Sequence, residues 1–320
     1  MRSFIVIPSL DGEHVVKACT TQFPSLKSSD VYRALKKKDI RIDGKRTSSD
    51  VKVVKGQEIQ VWLPDELFER DAAGSASSSE SRKDYKVVYR DDNILIVNKR
   101  QGLAVHSGAT TGETLIDIVR RGDGLRDAEL VHRIDMNTGG LIMIACGKEA
   151  LEDAVKLFRE KGVIKRYRCL VVGKIPSDLG EPVVCRDEAL MSEVTGFLEK
   201  TRDGKVYIHD TKKEGDLPIA TRYRVLGYKD GLSEIECELI TGRTHQIRAQ
   251  FAHLGFPILG DGNYGRNQVN LSFRREDGSK IRYQQLWSTG LLFGKIPADS
   301  SLRELSGRKF SIEPDYEVKF

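Results

Sequence analysis

Two short stretches of this chain crowd together residues able to move protons or hold anions. Val131-His132-Arg133-Ile134-Asp135-Met136-Asn137-Thr138 sets an imidazole, a guanidinium and a carboxylate side by side, then runs through Gly139-Gly140 into the apolar residues 141–145. Leu239-Ile240-Thr241-Gly242-Arg243-Thr244-His245-Gln246-Ile247-Arg248 repeats the design: apolar residues, a glycine, then packed polar groups. Polar loops at the edge of a rigid strand are where scaffolds present reactive groups. Taken alone, the first stretch reads equally well as a surface Arg133–Asp135 pair ahead of a core strand, a contact worth little. An enclosed carboxylate that must stay ionised needs a cation beside it, because burial alone raises its pKa. Arg133, Arg243 and Arg248 are the cations on offer.

Positioning these groups falls to the surrounding elements. Thr244 stands where a cap would begin a helix over about 245–254, with Ile247, Phe251 and Leu254 facing inward. On such a helix His245 and Arg248 share a face. Residues 87–89 and 94–99 read as two strands around Asp91-Asp92-Asn93. A helix is expected near 115–121, and 148–161 is amphipathic, with Leu151, Ala154, Val155 and Phe158 on one face. Arg166-Tyr167-Arg168-Cys169-Leu170-Val171-Val172 reads as a strand. Residues 174–218, rich in charge, Gly and Pro, read as hairpins or loops. Residues 221–228 and 233–240 pair around Lys229-Asp230-Gly231, a strong hairpin signal. Strands dominate without βαβ alternation, so the fold class is α+β with a mainly antiparallel sheet.

The first sixty-odd residues form a separate basic unit. A helix near 15–23 closed by Pro24, a helix over 31–38 with Ser28, Ser29 or Asp30 as caps, and short strands at 40–42, 51–53 and 59–63 are expected. Arg33, Lys36, Lys37, Lys38, Arg41, Lys45 and Arg46 gather near the helix–strand junction, as a phosphate-binding face or a solvated charged surface. Residues 71–84, small and polar, read as a flexible linker. The organisation is therefore a module over 1–66, a linker over 67–84 and a larger domain over 85–320.

Composition excludes several classes of function. Hydrophobic residues make up 39% and charged residues 31% of the 320, the balance of a soluble globular chain. Lys and Arg number 52 against 47 for Asp and Glu, a net charge of +5 that mildly favours an anionic partner. The five cysteines are scattered, with no C-x-x-C, which argues against a disulfide framework or zinc site and for a reducing cytosol. The N-terminal apolar run is too short for a signal peptide and no stretch is long enough to span a bilayer, so a cytoplasmic protein without membrane attachment is expected. His245 and His253 lack a further ligand in register, so no metal site is expected. Gly260-Asp261-Gly262-Asn263-Tyr264-Gly265 fits the dinucleotide fingerprint by letter, but no strand–helix unit encloses it, and a glycine-rich turn explains it better than a nucleotide cofactor.

The motifs together resemble one family. VHRIDMNTGGLIMIA resembles the H-R-L-D-x-x-T-S-G-L motif of the RluA-type pseudouridine synthases, and LIVNKRQGLAVHSG their N-K-P-x-G-L-x-V-H segment. KRYRCLVVGKI is similar to their K-x-Y-x-A-x-V-x-G strand. ITGRTHQIRAQFAHLGFPILGDGNYG follows their T-G-R-T-H-Q-I-R…G-x-P-I-x-G-D-x-x-Y-G segment nearly throughout. The basic N-terminal segment, through SSDVYRALKKKDIRIDGKR and VVKGQEIQVWLP, resembles an S4-type RNA-binding domain, as in the members that act on large-subunit ribosomal RNA. Departures are few: Arg100 for Pro, Ile134 for Leu, Gly139 for Ser, and Leu286-Trp287 for a Leu-His pair.

The resemblance implies a pseudouridine synthase fold and the isomerisation of uridine in structured RNA, in which the base leaves its N1–C1′ bond and returns joined through C5. Such chemistry needs an anionic oxygen at the sugar and neither metal nor cofactor. Asp135 matches the family's catalytic aspartate, Tyr167 its active-site tyrosine, and Arg248, ahead of Arg243, the arginine that pairs with the aspartate. Arg133, His132, Arg243 and His245 are expected at the substrate, and Arg33, Lys36, Lys37, Lys38, Arg41 and Lys45 on RNA away from it. Ribosomal RNA is the expected partner, with tRNA or a non-catalytic RNA-binding role as the alternatives, and the chain is expected to act as a monomer.

Overall fold

A computed structural model describes residues 1–23, 26, 28–68, 84–106, 112–122, 124–201 and 205–320. The chain divides into two compact units, Met1–Arg82 and Lys83–Phe320. The first contains β1 (Arg2–Ile5), α1 (Val15–Gln22), α2 (Ser28–Lys37), β2 (Ile40–Ile42), β3 (Lys45–Thr47), β4 (Glu58–Val61) and α3 (Asp65–Phe68). Its antiparallel sheet runs β1-β4-β2-β3. Both long helices bury one face, through Val15, Ala18, Cys19, Val31, Ala34 and Leu35, against Ile40, Ile59 and Val61. α2 begins at Ser28, so the serines expected as caps lie inside its first turn. Val51-Lys52-Val53, expected as a strand, makes only an isolated bridge from Lys52 to His14. Ordered structure also passes the expected boundary at 66, because Phe68 packs edge-on against Phe23 at 5.1 Å. The expected linker lies, over 69–83, outside the described residues.

The second unit contains β5 (Tyr85–Arg90), β6 (Ile94–Lys99), α4 (Leu115–Gly122), β7 (Glu129–Leu130), β8 (Gly139–Ala145), α5 (Lys148–Arg159), β9 (Val163–Val172), β10 (Glu181–Val184), β11 (Leu190–Lys200), β12 (Val206–His209), β13 (Leu217–Lys229), β14 (Leu232–Leu239), α6 (Gln246–His253), α7 (Asn267–Ser272), β15 (Leu286–Phe293) and β16 (Lys309–Ser311). Its sheet runs β10-β11-β13-β14-β9-β15-β8-β6-β5, with β12 on β11, β16 on β15 and β7 on β8. The β8–β15 pair is parallel, through Trp287 opposite Gly139, and the other neighbour pairs along this path are antiparallel.

The uninterrupted apolar run after Gly140 follows from burial on both faces. Successive strand residues point to opposite sides. Ile142 and Ile144 join a core with Leu95, Val97, Leu115, Val119, Tyr167 and Phe251, while Leu141, Met143 and Ala145 join another with Ile94, Ile96, Ala150, Ala154 and Phe293. α4 covers the first face and α5 the second, so neither half of the alternation is polar. β6 and β8 are thus buried on both faces, and the loops entering β8 and leaving β14 are held on a rigid base. The charge-rich stretch expected as hairpins or loops contains the eleven-residue β11, whose Leu198 packs with Ile208, Ile219 and Ala249 of α6.

Candidate active site

Asp135 sits in the loop entering β8, and that loop is fixed from several sides. Its carbonyl accepts from the Thr138 backbone N–H at 3.0 Å, closing a turn. The Met136 carbonyl accepts from the Gly102 N–H at 2.9 Å and from the Lys99 ammonium at 3.0 Å. Lys99 is fully buried and also donates to the carbonyls of Arg100 and Leu103. Burial pushes its pKa down to about 7, opposed in part by the charge of Asp135. On the other side Gln101 donates to the Asn137 carbonyl at 3.0 Å, and Gln284 to the Thr138 hydroxyl at 2.8 Å. Gly139 and Gly140 then bring β8 against β15: a Cβ on Gly139 would lie 2.6 Å from the Trp287 ring.

The second polar stretch is organised by Gln246, whose buried amide fills its donor and acceptor roles. Its Oε1 accepts from Thr241 Oγ1 at 2.8 Å and from the Arg243 N–H at 3.1 Å. Its Nε2 donates to the Ala220 carbonyl at 3.1 Å and to Thr221 Oγ1 at 2.9 Å. This pins the start of α6 to β13. α6 begins at Gln246, not at His245, and Thr244 is not its cap. His245 occupies the N-cap position in the left-handed conformation, with φ at 54°, a region non-glycine residues seldom adopt. Strain of this kind gathers at functional sites and is held there by surrounding contacts. Here the His245 ring is held by the Tyr264 hydroxyl, 2.9 Å from Nδ1.

The two stretches meet through Arg248. Its Nη1 donates to Asp135 Oδ2 at 2.9 Å, while Nε and Nη2 grip both oxygens of Asp261 at 2.7 and 3.0 Å. Asp261 is wholly buried and Arg248 nearly so, whereas the Asp135 side chain keeps 28% of its surface exposed. Asp261 also accepts from the N–H groups of Asn263 and Tyr264. Burial alone would raise its pKa, but the hydrogen bonds and charge of Arg248 outweigh that and hold it low. Arg248 feels the converse, with burial opposed by Asp261 first and Asp135 second. The result is a carboxylate–guanidinium–carboxylate chain, closed at its inner end and open to solvent at Asp135. Sequence reading missed Asp261; the acidic residue inside the glycine turn was the signal available.

Asp135, Tyr167, Arg243, His245 and Arg248 line one cleft together with Arg133 and Lys165. Burial, and then the charge of Asp135, raise the Tyr167 pKa, so the phenol stays protonated at neutral pH. His245 reaches to 4.0 Å from Asp135, and burial pushes its pKa down despite that neighbour. Arg248, not Arg243, makes the ion pair with Asp135; Arg243 is exposed on the cleft wall. Arg133 is exposed too, with Nη1 2.7 Å from His106 Nε2, so it is not the partner of Asp135. His132, expected at the substrate, does not line the cleft. Its ring stacks on Phe158 at 4.9 Å, and Nε2 accepts from the Met143 N–H at 3.1 Å. Burial, with Lys165 nearby, drives its pKa down to about 3, so it serves the loop as a neutral ring.

Two groups of metal-type ligands occur among the described residues, both apart from the cleft: Cys185, Asp187 and Glu238, and Glu199, His209 and Asp216. In the first, the Arg166 guanidinium lies 2.7 Å from Asp187 and 2.9 Å from Glu238 and supplies the positive charge itself. In the second, His209 contacts Glu199 at 2.8 Å, and Asp216 accepts from the Lys213 N–H.

Residues 93–253, half of the chain, match the family model for RNA pseudouridylate synthase. The chain is 32% identical over 258 residues to ribosomal large subunit pseudouridine synthase C of Vibrio cholerae, covering 79% of this chain and 77% of that one. The Escherichia coli protein of the same name is 29% identical over 262 residues, or 81% of this chain and 78% of that one. Among solved structures, human RNA pseudouridylate synthase domain containing 1 superposes with a TM-score of 0.52 at 25% identity, covering 70% of this chain and 82% of that one.

Proposed function

The chain belongs to the RNA pseudouridylate synthase family, isomerases that act on RNA, and on that premise we propose that it converts uridines of large-subunit ribosomal RNA to pseudouridine, with Asp135 as the acting carboxylate. The observation that carries this reading is the Asp135–Arg248–Asp261 chain. Arg248 is bound to the wholly buried Asp261 and offers one N–H to Asp135, leaving a carboxylate oriented at the mouth of a cleft. An oxygen so placed can act on C1′ or take a proton from C2′ of a nucleotide entering that cleft, releasing N1 of uracil. The base then turns and C5 bonds to C1′, displacing the Asp135 oxygen in the first route or with the proton returned to C2′ in the second, after which the C5 proton is lost and N1 carries one.

Tyr167 flanks Asp135 as a neutral phenol, so it offers uracil a ring face and an O–H donor rather than a phenolate base. A base in a helix must be turned out of the stack before it can reach these groups. The exposed Arg133 and Arg243 at the cleft suit the phosphates or unstacked bases of RNA opened around the target. In the N-terminal unit, Arg33, Lys36, Lys37, Lys38 and Lys45 are exposed, and Arg41 stacks over Trp62 at 4.4 Å. We assign this S4-like unit the role of anchoring RNA electrostatically.

The test is conversion of transcribed large-subunit ribosomal RNA by the full chain, with pseudouridines mapped by carbodiimide derivatisation and transfer RNA run in parallel. Product from the wild type and none from Asp135→Asn is expected. Equal signals from the two proteins would remove the assignment of Asp135, and product in transfer RNA alone would move the substrate.

A further inference from the structure

Lys165 is a cation the chemistry above leaves unused. It stands on β9 two residues before Tyr167, so the two side chains leave the strand on the same face, and both line the cleft. Gly242 closes over it: a Cβ there would come within 3.4 Å of Nζ. On its other flank lie the Phe158 ring, 5.9 Å from Nζ, and the neutral His132. Among the described residues no hydrogen bond or ion pair engages Lys165. Burial lowers its pKa, and no carboxylate opposes that effect. The carboxylate of the cleft, Asp135, is committed to Arg248.

A half-buried ammonium with no counter-charge is costly to keep. Its retention is explained if an anion completes it during function, and the charged group of RNA is its phosphodiester. We propose that Lys165 is a phosphate-binding subsite of the cleft, holding a backbone phosphate of the RNA strand at the nucleotide presented to Asp135 and Tyr167. A compact ammonium suits a single phosphate oxygen in a narrow site better than a guanidinium fork. Gly242, lacking a side chain, leaves the strand room to approach. Lys165 is thereby a binding residue of this reaction, and it makes no bond to the base or the sugar carbons that react. The inference rests on the RNA isomerase reading given above.

The test uses the full chain, wild type and Lys165→Met, Lys165→Gln and Lys165→Arg, with transcribed large-subunit ribosomal RNA. Loss of one charge-assisted contact should raise KM about tenfold or more with kcat little changed. The slope of log affinity against log salt, measured by equilibrium binding, should flatten by about 0.7 for one single-strand phosphate. Lys165→Arg should restore the slope. An unchanged slope in Lys165→Met would overturn the proposal. So would a loss of kcat with a shifted pH profile, which would make Lys165 a proton-transfer group. If both neutral variants fail to fold, the wild type is measured on RNA carrying an uncharged methylphosphonate at the target nucleotide, and a slope unchanged by loss of that phosphate charge overturns the proposal. Should the wild type form no pseudouridine on this RNA, the functional reading fails first, while the binding slopes still judge Lys165.

Discussion

Replacing Asp261 by Asn probes the inner end of the carboxylate chain without touching the cleft. The substitution keeps the shape but removes the charge that faces Arg248 across hydrogen bonds of 2.7 and 3.0 Å. It also turns an NH2 group toward N–H donors, whichever way the amide is placed. Both partners are withdrawn from solvent, with 0% and 7% of their side-chain surface exposed. Breaking such a pair from one side costs about 3–5 kcal/mol, because the remaining charge is left uncompensated. At about 2–4 °C per kcal/mol for a unit of this size, the melting temperature of residues 83–320 should fall by about 6–20 °C. Arg248 would also lose its fixed orientation, and a shift of about 1 Å at the carboxylate it holds is enough for about a hundredfold loss in kcat. Differential scanning fluorimetry and pseudouridine formation on the same preparations measure both effects. The sign of the pH dependence is fixed as well. The folded pKa of Asp261 is depressed, so its contribution is present above the ordinary carboxylate range and lost as pH falls through the folded value. Wild-type and variant melting curves should therefore converge in strong acid. A melting temperature within about 2 °C of wild type, with undiminished turnover, would refute the reasoning.

Three further outcomes follow from other parts of the molecule. His132 has a folded pKa of about 3 against an ordinary 6.5, so the unfolded chain binds a proton that the folded chain refuses; stability should fall as pH drops from 6.5 toward 3, by about 1.4 kcal/mol per pH unit, and His132→Gln should lack this slope in thermal melts. Gly139→Ser should cost about 1–3 kcal/mol by crowding the Trp287 ring, and adding Trp287→His should recover part of it; strict additivity in the double-mutant cycle would show that the two positions are not coupled. Neutralising Lys36, Lys37 and Lys38 together should weaken RNA binding and flatten its salt dependence by up to about 2 slope units if each meets a single-strand phosphate, with the folding of the second unit untouched in the melt.

The elements that read well in the sequence were those with one uninterrupted period. Lys148–Arg159 shows its apolar face every third or fourth residue, and β13 and β14 announce their turn through Asp230-Gly231. β11 did not, because its inward residues are separated by Ser, Glu, Thr and Gly, and its partners are supplied by β12, β13 and α6. The site was legible as two polar clusters, and Arg248 could be singled out over Arg243 only through resemblance; the bond between Asp135 and Arg248 spans 113 residues, and spacing along the chain carries no such information. Asp261 and Gln246 were passed over for a related reason. Each acts by satisfying buried partners from other elements, Ala220 and Thr221 for Gln246 and Arg248 for Asp261. His132 lies beside Arg133 in sequence yet points into the packing against Phe158, where its ring accepts from the Met143 N–H.

The contact between Gly139 and Trp287 constrains the order in which this chain can change. Opposite each other in the parallel β8–β15 register, a bare backbone and an indole share space that a side chain at 139 would contest. Starting from Ser and His at these positions, loss of the serine first leaves a small void for the indole to fill. The reverse order passes through an intermediate in which Ser and Trp overlap behind the loop that carries Asp135. A return to the commoner pair is blocked in the same way until Trp287 gives way. Gly139 and Trp287 should therefore act as a coupled pair, and either one transplanted alone into a relative should behave differently from the two together.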